Sequence, residues 1–278
     1  MIVRICRARV GDTGDTAVTT TETVPAPAGL TRRLLGRETL IVLGLSLGAS
    51  ALYAYISFIG SVTAPTALKS QTANLNGSLA PGRPWLDLSL QLFNIGSALV
   101  PVALVAYLLL REGSSIRELG FDLTRPGFDL SRGLMIAAGI GGSGLMLYLG
   151  AHAAGVNLTV VPSSLPDVWW RIPVLILSAT QNAVVEEVIV VGYLLRRLEQ
   201  LGWSWPAAVA ASALLRGSYH LYQGVGGFVG NVVMGLIFCL LYRRWRRVAP
   251  LATAHALIDS VAFVGYVLLA GHVSWLPT

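Results

Sequence analysis

The sequence predicts an all-α protein, a bundle of about seven helices that cross a lipid bilayer with the N-terminus inside. The 278 residues are 54% hydrophobic and 12% charged, and the mean hydropathy is +0.65. Soluble domains carry about 25% charged residues, so this composition excludes a soluble globular protein. Apolar stretches near the ~20-residue spanning length recur along the chain.

The predicted spans are separated by short polar connections. They cover approximately 40–62, 86–110, 133–156, 172–195, 205–222, 225–242 and 248–271. Pro101 lies within the second span and predicts a kink, because proline removes a helical hydrogen bond. Residues 1–36 are rich in threonine and also contain proline and glycine, which predicts a disordered cytoplasmic tail.

The placement of arginines predicts the orientation, since positive residues favour cytoplasmic loops. Seven alternating spans with the N-terminus inside leave only Lys69, Arg83 and Arg171 on the outer side. The cytoplasmic side then holds Arg4, Arg7, Arg9, Arg32, Arg33, Arg37, Arg111, Arg117, Arg125, Arg132, Arg196, Arg197, Arg243, Arg244, Arg246 and Arg247. Because these residues flank apolar segments, the net charge of +6 indicates membrane orientation rather than nucleic-acid binding.

The connection over residues 111–132 mixes apolar side chains such as Leu119 and Phe121 with charges. We interpret it as a cytoplasmic segment that lies against the membrane surface, with a plain solvated loop as an equal alternative. Cys6 and Cys239 are too few and too far apart for a disulfide framework or a cysteine metal cluster.

Two adjacent glutamates, Glu186 and Glu187, lie inside the fourth span. A charge at membrane depth is costly, so intramembrane ionisable residues indicate function. Ser178, Asn182 and Glu186 recur every four residues and predict one polar stripe towards the bundle interior. Glu187 is rotated by about 100° from Glu186, so we expect it to point sideways and to need a cation or a proton.

The other intramembrane ionisable side chains form two pairs with four-residue spacing, Arg216 with His220 and His255 with Asp259. Each pair shares one helix face, and such faces must turn to the bundle interior. A buried carboxylate can take a proton from water, a neutral histidine can orient that water, and a second histidine can donate to an oxyanion. Glu186, His220, His255 and Asp259 therefore predict hydrolysis without a serine or cysteine nucleophile.

These motifs resemble the CAAX-prenyl-type intramembrane endopeptidases, the CPBP or ABI family. That family carries Glu-Glu-x-x-x-Arg, Phe-x-x-x-His and His-x-x-x-Asn/Asp on successive helices. Here Glu186–Glu187, His220, and His255 with Asp259 match. The resemblance implies peptide hydrolysis inside the bilayer, with the first glutamate and first histidine activating water and the second histidine with Asp259 forming the oxyanion site.

The resemblance covers about residues 170–270. It implies a catalytic helical core over 169–272, which follows N-terminal transmembrane helices over 37–168. The first 130 residues carry none of the family's motifs.

Two positions depart from the family pattern. Val191 stands where the first motif has arginine, and Arg216 stands where the second motif has phenylalanine. Glu187 therefore lacks its usual partner one helical turn away, and we hypothesise that Arg216 reaches it from the neighbouring helix. Glu187, Arg216 and Asn182 are accordingly expected to support the catalytic residues.

No metal or other cofactor is expected. Zinc bound by Glu186, His220 and His255 is the alternative, because three such side chains make a known type of catalytic zinc site. Metal-free glutamate catalysis is favoured over zinc since the chain contains no His-Glu-x-x-His motif and the ligands would come from three helices.

The leading functional prediction is an endopeptidase that cuts a peptide near the cytoplasmic membrane face. The alternatives are a catalytically silent protein of the same fold, acting in immunity or as a scaffold, and a proton-coupled transporter with Glu186 and Asp259 as relay groups. Expected partners are a peptide or membrane-protein substrate and the bilayer, with no nucleic acid; the oligomeric state is left open. Arginine outnumbers lysine so strongly that a bacterial plasma membrane is expected, and a prenylated substrate is not assumed.

Overall fold

The computed structural model describes residues 30–274 and Leu276 as an assembly of helices. The helices are α1 (Arg32–Gly44), α2 (Leu47–Thr63), α3 (Pro84–Ala98), α4 (Val100–Arg111), α5 (Pro126–Ala153), α6 (Arg171–Glu186), α7 (Leu194–Gln200), α8 (Trp205–Tyr219), α9 (Val225–Trp245) and α10 (Ala249–Leu269). Two short strands, β1 (Thr72–Asn74) and β2 (Thr159–Val161), pair in parallel. The all-α prediction is confirmed, and the small sheet is an addition that the sequence did not predict.

Five helices in the described part of the chain are long and apolar enough to cross a membrane. They are Pro84–Arg111, Pro126–Ala153, Arg171–Gln200, Val225–Trp245 and Ala249–Leu269. A sixth span results if α1 and α2, which meet at a 53° bend, count as one. The predicted total of seven is not confirmed, because α8 has only 15 residues.

The N-terminal boundary differs from the prediction. Helix α1 begins at Arg32, within the segment 1–36 that was predicted to be disordered, because the Thr31 hydroxyl caps it by accepting from the Leu34 N–H at 3.3 Å. The predicted tail over residues 1–29 lies outside the described residues. The helix is interrupted at Leu99, between α3 and α4 and two residues before Pro101, and the two helices together form one span, Pro84–Arg111.

Helices α6 and α7 form one continuous helix with a π-helical segment, Glu187–Tyr193, between them. The wider π turn changes the angular spacing of its side chains from that of an ordinary helix. Every residue of the segment is buried, and the Ser212 hydroxyl of α8 donates to the Val190 carbonyl at 2.8 Å. Around it lies the larger of two hydrophobic clusters, which takes in side chains from α1, α4, α8, α9 and α10.

Helix α8 packs closely against α9, and this packing fixes the position of Arg216. At Gly235 a Cβ atom would lie 3.0 Å from the Ala213 Cα and 3.2 Å from the Arg216 Cδ. A glycine at this position therefore lets the two helix backbones approach and leaves room for the arginine side chain.

The turn after α8 lies beside the segment that follows α5. The Leu158 N–H donates to the Gln223 carbonyl at 3.1 Å, and Asn157 bridges to Gly224. Helix α8 thus reaches the end of the bundle at which α5 ends, even though its 15 residues rise only ~22 Å.

The connection between α4 and α5 packs on the protein. Leu119 is buried in the main cluster, and the carbonyls of Leu119 and Gly120 accept from the first turn of α10. Arg247 donates to both Asp122 and Asp129, at 3.0 and 2.7 Å, and so fastens this connection to the turn before α10. Contact of this segment with a membrane surface stays a prediction; Leu123 is its exposed apolar side chain.

Candidate active site

Three helical elements bring all the predicted ionisable side chains into one buried cluster. Glu186 ends α6 and Glu187 begins the π-helical segment, Arg216 and His220 lie at the end of α8, and His255 with Asp259 lie in α10. The close contacts of α10 with α6 and of α8 with the π-helical segment bring these elements together. The cluster is defined here as Glu186, Glu187, Arg216, His220, His255 and Asp259.

Glu186 lies at the centre of the cluster. Its Oε2 atom accepts from the Tyr219 hydroxyl at 2.8 Å and from Arg216 Nη2 at 3.2 Å. The same oxygen lies 3.7 Å from His220 Nε2 and 4.0 Å from His255 Nδ1. One carboxylate oxygen therefore faces both histidines that the sequence singled out.

Glu187 receives the cation that the sequence required. Arg216 donates to it with both terminal nitrogens, Nη1 to Oε2 at 3.1 Å and Nη2 to Oε1. Both carboxylates contact the same Arg216 nitrogen, so Glu187 and Glu186 share one cation.

The two histidines occupy different positions around Glu186. His220 Nε2 is buried and has no hydrogen-bond partner among the described residues, while Nδ1 lies 3.3 Å from the Gln223 amide. His255 Nδ1 lies 2.7 Å from Glu187 Oε1 and must donate there if the carboxylate is ionised, and its Nε2 lies 3.5 Å from Asp259 Oδ2.

The two departures from the family pattern, Val191 and Arg216, are accounted for together by their positions in the structure. Val191 is fully buried in the main hydrophobic cluster, and an arginine there would need a partner of its own. Arg216 is also fully buried, and its guanidinium lies 5.0 Å from the centre of the Phe238 ring while pairing with Glu187. The structure thus supplies the cation that the first motif lacks from a neighbouring helix.

A metal would be held by a different set from the one predicted. Glu186, Glu187 and His255 are close enough to share an ion, whereas His220 is not among them. Their facing atoms, Glu186 Oε2, Glu187 Oε1 and His255 Nδ1, all lie against Arg216 Nη2. The guanidinium therefore fills the position that these three residues would give to a cation.

Two cavities lie beside the site, one lined by Glu186 and one by Tyr219, and both include Ala49 and Ser50 of α2 in their walls. The first, the glutamate cavity, is about 540 Å³ and is lined by Ser46, Ser50, Ser97, Gln181, Asn182 and Glu186. Asn182 thus shares a cavity with Glu186 but makes no hydrogen bond to it. The second, the strand cavity, is about 660 Å³ and is lined by Tyr53, Ser57, Thr72, Asn74, Tyr219 and Tyr222.

Two features of the site were missed from the sequence. The first is Tyr219, whose hydroxyl donates to Glu186. Its position directly before His220 is a signal that could have indicated this contact. The contribution of the first 130 residues, which line both cavities, has no motif by which it could be found.

Residues 168–261 match the sequence model of a family described as Rce1-like, type II CAAX prenyl endopeptidase Rce1-like. The matched segment is shorter than half of the chain and includes all six residues of the cluster. It confirms the predicted resemblance to the CPBP intramembrane proteases over this segment and supports a membrane protease with a peptide or protein substrate. No curated protein and no solved structure matches the chain.

Proposed function

We propose that this protein is an intramembrane endopeptidase in which Glu186 and His220 activate a water molecule. The observation that carries the proposal is the position of Glu186 Oε2, within 4.0 Å of a nitrogen of each histidine and at the wall of a cavity. The family match of the same segment supports the choice of a peptide bond as the target.

In the proposed reaction a water molecule bridges Glu186 Oε2 and His220 Nε2, which are 3.7 Å apart, from one side of the line that joins them. Glu186 takes one proton as the water oxygen attacks the peptide carbonyl carbon, and His220 orients the water. The proton then passes to the leaving nitrogen, which departs as an amine when the carbon–nitrogen bond breaks. Tyr219 and Arg216 hold the carboxylate in place during these steps.

His255 and Asp259 are proposed to form the oxyanion site. With Nδ1 directed at Glu187, Nε2 is the ring atom that remains for the substrate, and it lies beside Asp259. A proton held between Nε2 and the Asp259 carboxyl supplies a donor to the oxygen that becomes negative in the transition state.

The decisive experiment compares wild type with Glu186→Gln in reconstituted membranes that contain a library of tethered peptides. We expect cleavage by the wild type and a loss of at least about a hundredfold in the variant, the lower range for removal of a general base. Glu199→Gln is the matched control, since Glu199 lies on the same continuous helix but outside the cluster, and it is expected to cleave normally. Equal cleavage by Glu186→Gln would refute the proposal.

We also propose that catalysis is independent of metal, because Arg216 Nη2 fills the space between the three candidate ligands. A strong zinc chelator is expected to leave the cleavage rate unchanged, and metal analysis is expected to find zinc well below one atom per protein. Stoichiometric zinc, with activity lost on chelation and restored by zinc, would overturn this part of the proposal.

One observation favours a second candidate, a catalytically silent scaffold of the same fold. Arg216 donates to Glu186 as well as to Glu187, and a carboxylate that already accepts from an arginine and a tyrosine is a weaker base. The absence of cleavage by wild type across the library would support this candidate over the protease.

The cleaved bond is proposed to lie towards the cytoplasmic side of a bacterial plasma membrane. His255 lies six residues after Ala249, ~9 Å along α10 from the end of the helix that follows the Arg246–Arg247 turn. The arginine-rich, lysine-poor composition supports the bacterial source.

A further inference from the structure

We infer that the free edge of β1 binds the peptide substrate as an added β-strand, in the strand cavity. This inference rests on the proposed protease function and names the conformation in which the substrate is held. It is carried by the hydrogen-bonding pattern of the two strands, by the lining of the cavity and by the link from that cavity to Glu186.

The pairing of β1 with β2 uses only every second residue of β1. The Gln71 carbonyl accepts from Thr159, and the Leu75 N–H donates to Val161 at 3.0 Å. From the register of this parallel pair, the N–H and C=O groups of Ala73 make the hydrogen bonds to β2 that lie between these two. The N–H and C=O groups of Thr72 and Asn74 therefore point to the other edge, where no bond to them is found among the described residues.

This free edge faces the strand cavity. Four successive residues, 71–74, line the cavity. Side chains alternate between the two faces of a strand, and a backbone edge turned towards the cavity accounts for the unbroken run along β1; Leu158, just before β2, completes this wall. The outer edge of β2, in contrast, is closed, because the Val160 N–H donates to the Tyr148 hydroxyl at 3.0 Å.

Helix α2 forms the opposite wall of the cavity. Tyr53, Ser57 and Ser61 are spaced by four residues and so share one helix face, and all three line the cavity. The Gln71 amide donates to the Ser61 carbonyl at 2.9 Å and ties the start of β1 to this helix. The space between β1 and α2 is thus a groove with a strand edge on one side and the polar side chains of Tyr53, Ser57 and Ser61 on the other.

A peptide that is to be cut inside a bilayer has to leave the helical conformation, since helical carbonyls are occupied by intrahelical bonds. The backbone groups that are released need new hydrogen-bond partners, because an unpaired backbone group that is shielded from water is costly. An open strand edge offers them as alternating donors and acceptors, which is how extended peptides add to sheets elsewhere.

The groove leads to the proposed catalytic carboxylate. Tyr219 lines the strand cavity, and its hydroxyl donates to Glu186 at 2.8 Å. A peptide paired with β1 would therefore extend past the same tyrosine that positions Glu186, and Tyr222 lies beside it in the cavity wall.

The test is a backbone N-methyl scan of one peptide. The probe is the best-cleaved peptide of the tethered library or, if none is cleaved, a fluorescent single-span peptide of leucine and alanine with a central glycine pair. One amide at a time is methylated, and binding to Glu186→Gln in lipid nanodiscs is measured by fluorescence anisotropy. Wild-type cleavage of the same series is measured in parallel.

We expect binding to weaken about three- to tenfold at every second amide over a short stretch and less than about twofold at the amides between, since each methyl group removes one backbone hydrogen bond. A flat profile, or no binding of the unmethylated probe, overturns the inference. Alternating binding without wild-type cleavage supports strand addition and refutes the protease. Cleavage with a flat profile supports the protease and refutes strand addition.

A variant of the protein provides a second measurement. Thr72→Pro removes an edge N–H without removing a bond to β2 and is expected to reduce the alternation in the scan. Val160→Pro is the matched control, because it removes a strand N–H from the edge that faces Tyr148. Alternation that persists unchanged in a folded Thr72→Pro protein contradicts the proposed pairing.

Discussion

At the scale of single residues, the site depends on where one positive charge is placed. The first motif lacks its arginine at Val191, and the arginine at position 216 takes over the pairing with Glu187. Both Glu187 and Arg216 are fully buried, so each needs the other: a buried charge without its partner is strongly destabilising. Arg216 also contacts Glu186, so the residue that neutralises Glu187 also contacts the proposed catalytic base.

The coupling between these two residues can be measured by a double-mutant cycle. Arg216→Ala is expected to lower the free energy of unfolding by about 3–5 kcal/mol, because Glu187 is left without its cation. The double variant with Glu187→Ala should lose less than the sum of the two single losses. Unfolding in detergent micelles measures the effect, with Arg243→Ala as a control outside the cluster. Additive losses would contradict the pairing.

Tyr219 provides a second residue-scale prediction. Tyr219→Phe removes a hydrogen bond to a buried carboxylate, which is expected to cost about 1.5–3 kcal/mol of stability and to slow cleavage. Tyr242→Phe is the matched control, since Tyr242 is buried in α9 and lines neither cavity. Activity and unfolding are measured for both variants, and an equal effect of the two would argue against a specific role of Tyr219.

At the scale of elements, the π-helical segment and the α4–α5 connection decide how the cluster is held. The first begins at Glu187, directly after Glu186, and all of its residues are buried. The α4–α5 connection places Leu119 against Gly192. Its Gly120 carbonyl accepts a hydrogen bond from Ala249, the first residue of α10. Gly120 has φ +69°, and a Cβ there would lie 2.3 Å from the Arg247 Cα, so only glycine fits this close approach.

The ion pair between Arg247 and Asp122, which holds the α4–α5 connection, makes the free energy of unfolding depend on pH. Arg247 and the hydrogen bonds from Thr124 hold the pKa of Asp122 well below its usual range. A carboxyl with a lowered folded-state pKa stabilises the protein above its unfolded pKa of about 3.9 and loses that contribution as the pH falls below it. The Asp122→Asn variant is therefore expected to be less stable than wild type near neutral pH.

The expected signature is a difference in unfolding temperature between wild type and Asp122→Asn that is constant above pH ~5 and shrinks below pH ~4. Asp167→Asn serves as the control, because Asp167 is highly exposed in its pair with Arg171. A difference that does not change with pH would show that Asp122 acts through its shape rather than its charge.

At the scale of the whole molecule, the number of membrane passes determines on which side each end of the chain lies. Seven passes put the two ends on opposite sides, and six put them on the same side. Helix α8 is short, but the turn after it bonds to residues 156–158 at the far end of α5, which supports a seventh pass.

Cysteine accessibility tests this topology. In a protein with Cys6 and Cys239 replaced, Ser274→Cys is expected to react with a membrane-impermeant thiol reagent applied to intact cells. Thr31→Cys is expected to react only after the membrane is opened, in agreement with the positive-inside rule. Labelling of both positions under the same condition would refute either the count of seven or the orientation.

Much of the fold and of the site can be predicted from the sequence, because the patterns that encode them are local. Apolar length predicts helices, since a spanning backbone must satisfy its own hydrogen bonds. The four-residue spacing of His255 and Asp259 predicts one shared face, and the structure places their side chains 3.5 Å apart.

The sequence by itself determined the helical membrane class, the resemblance to CPBP proteases and the residues of the cluster, because each is encoded in composition or in spacing within one helix. Only the tertiary structure decided that Glu186 and Glu187 face one guanidinium, that Tyr219 holds Glu186, and that β1 presents an open edge beside them. These features join residues that are distant in sequence, and their energies depend on packing between helices, which no local pattern records.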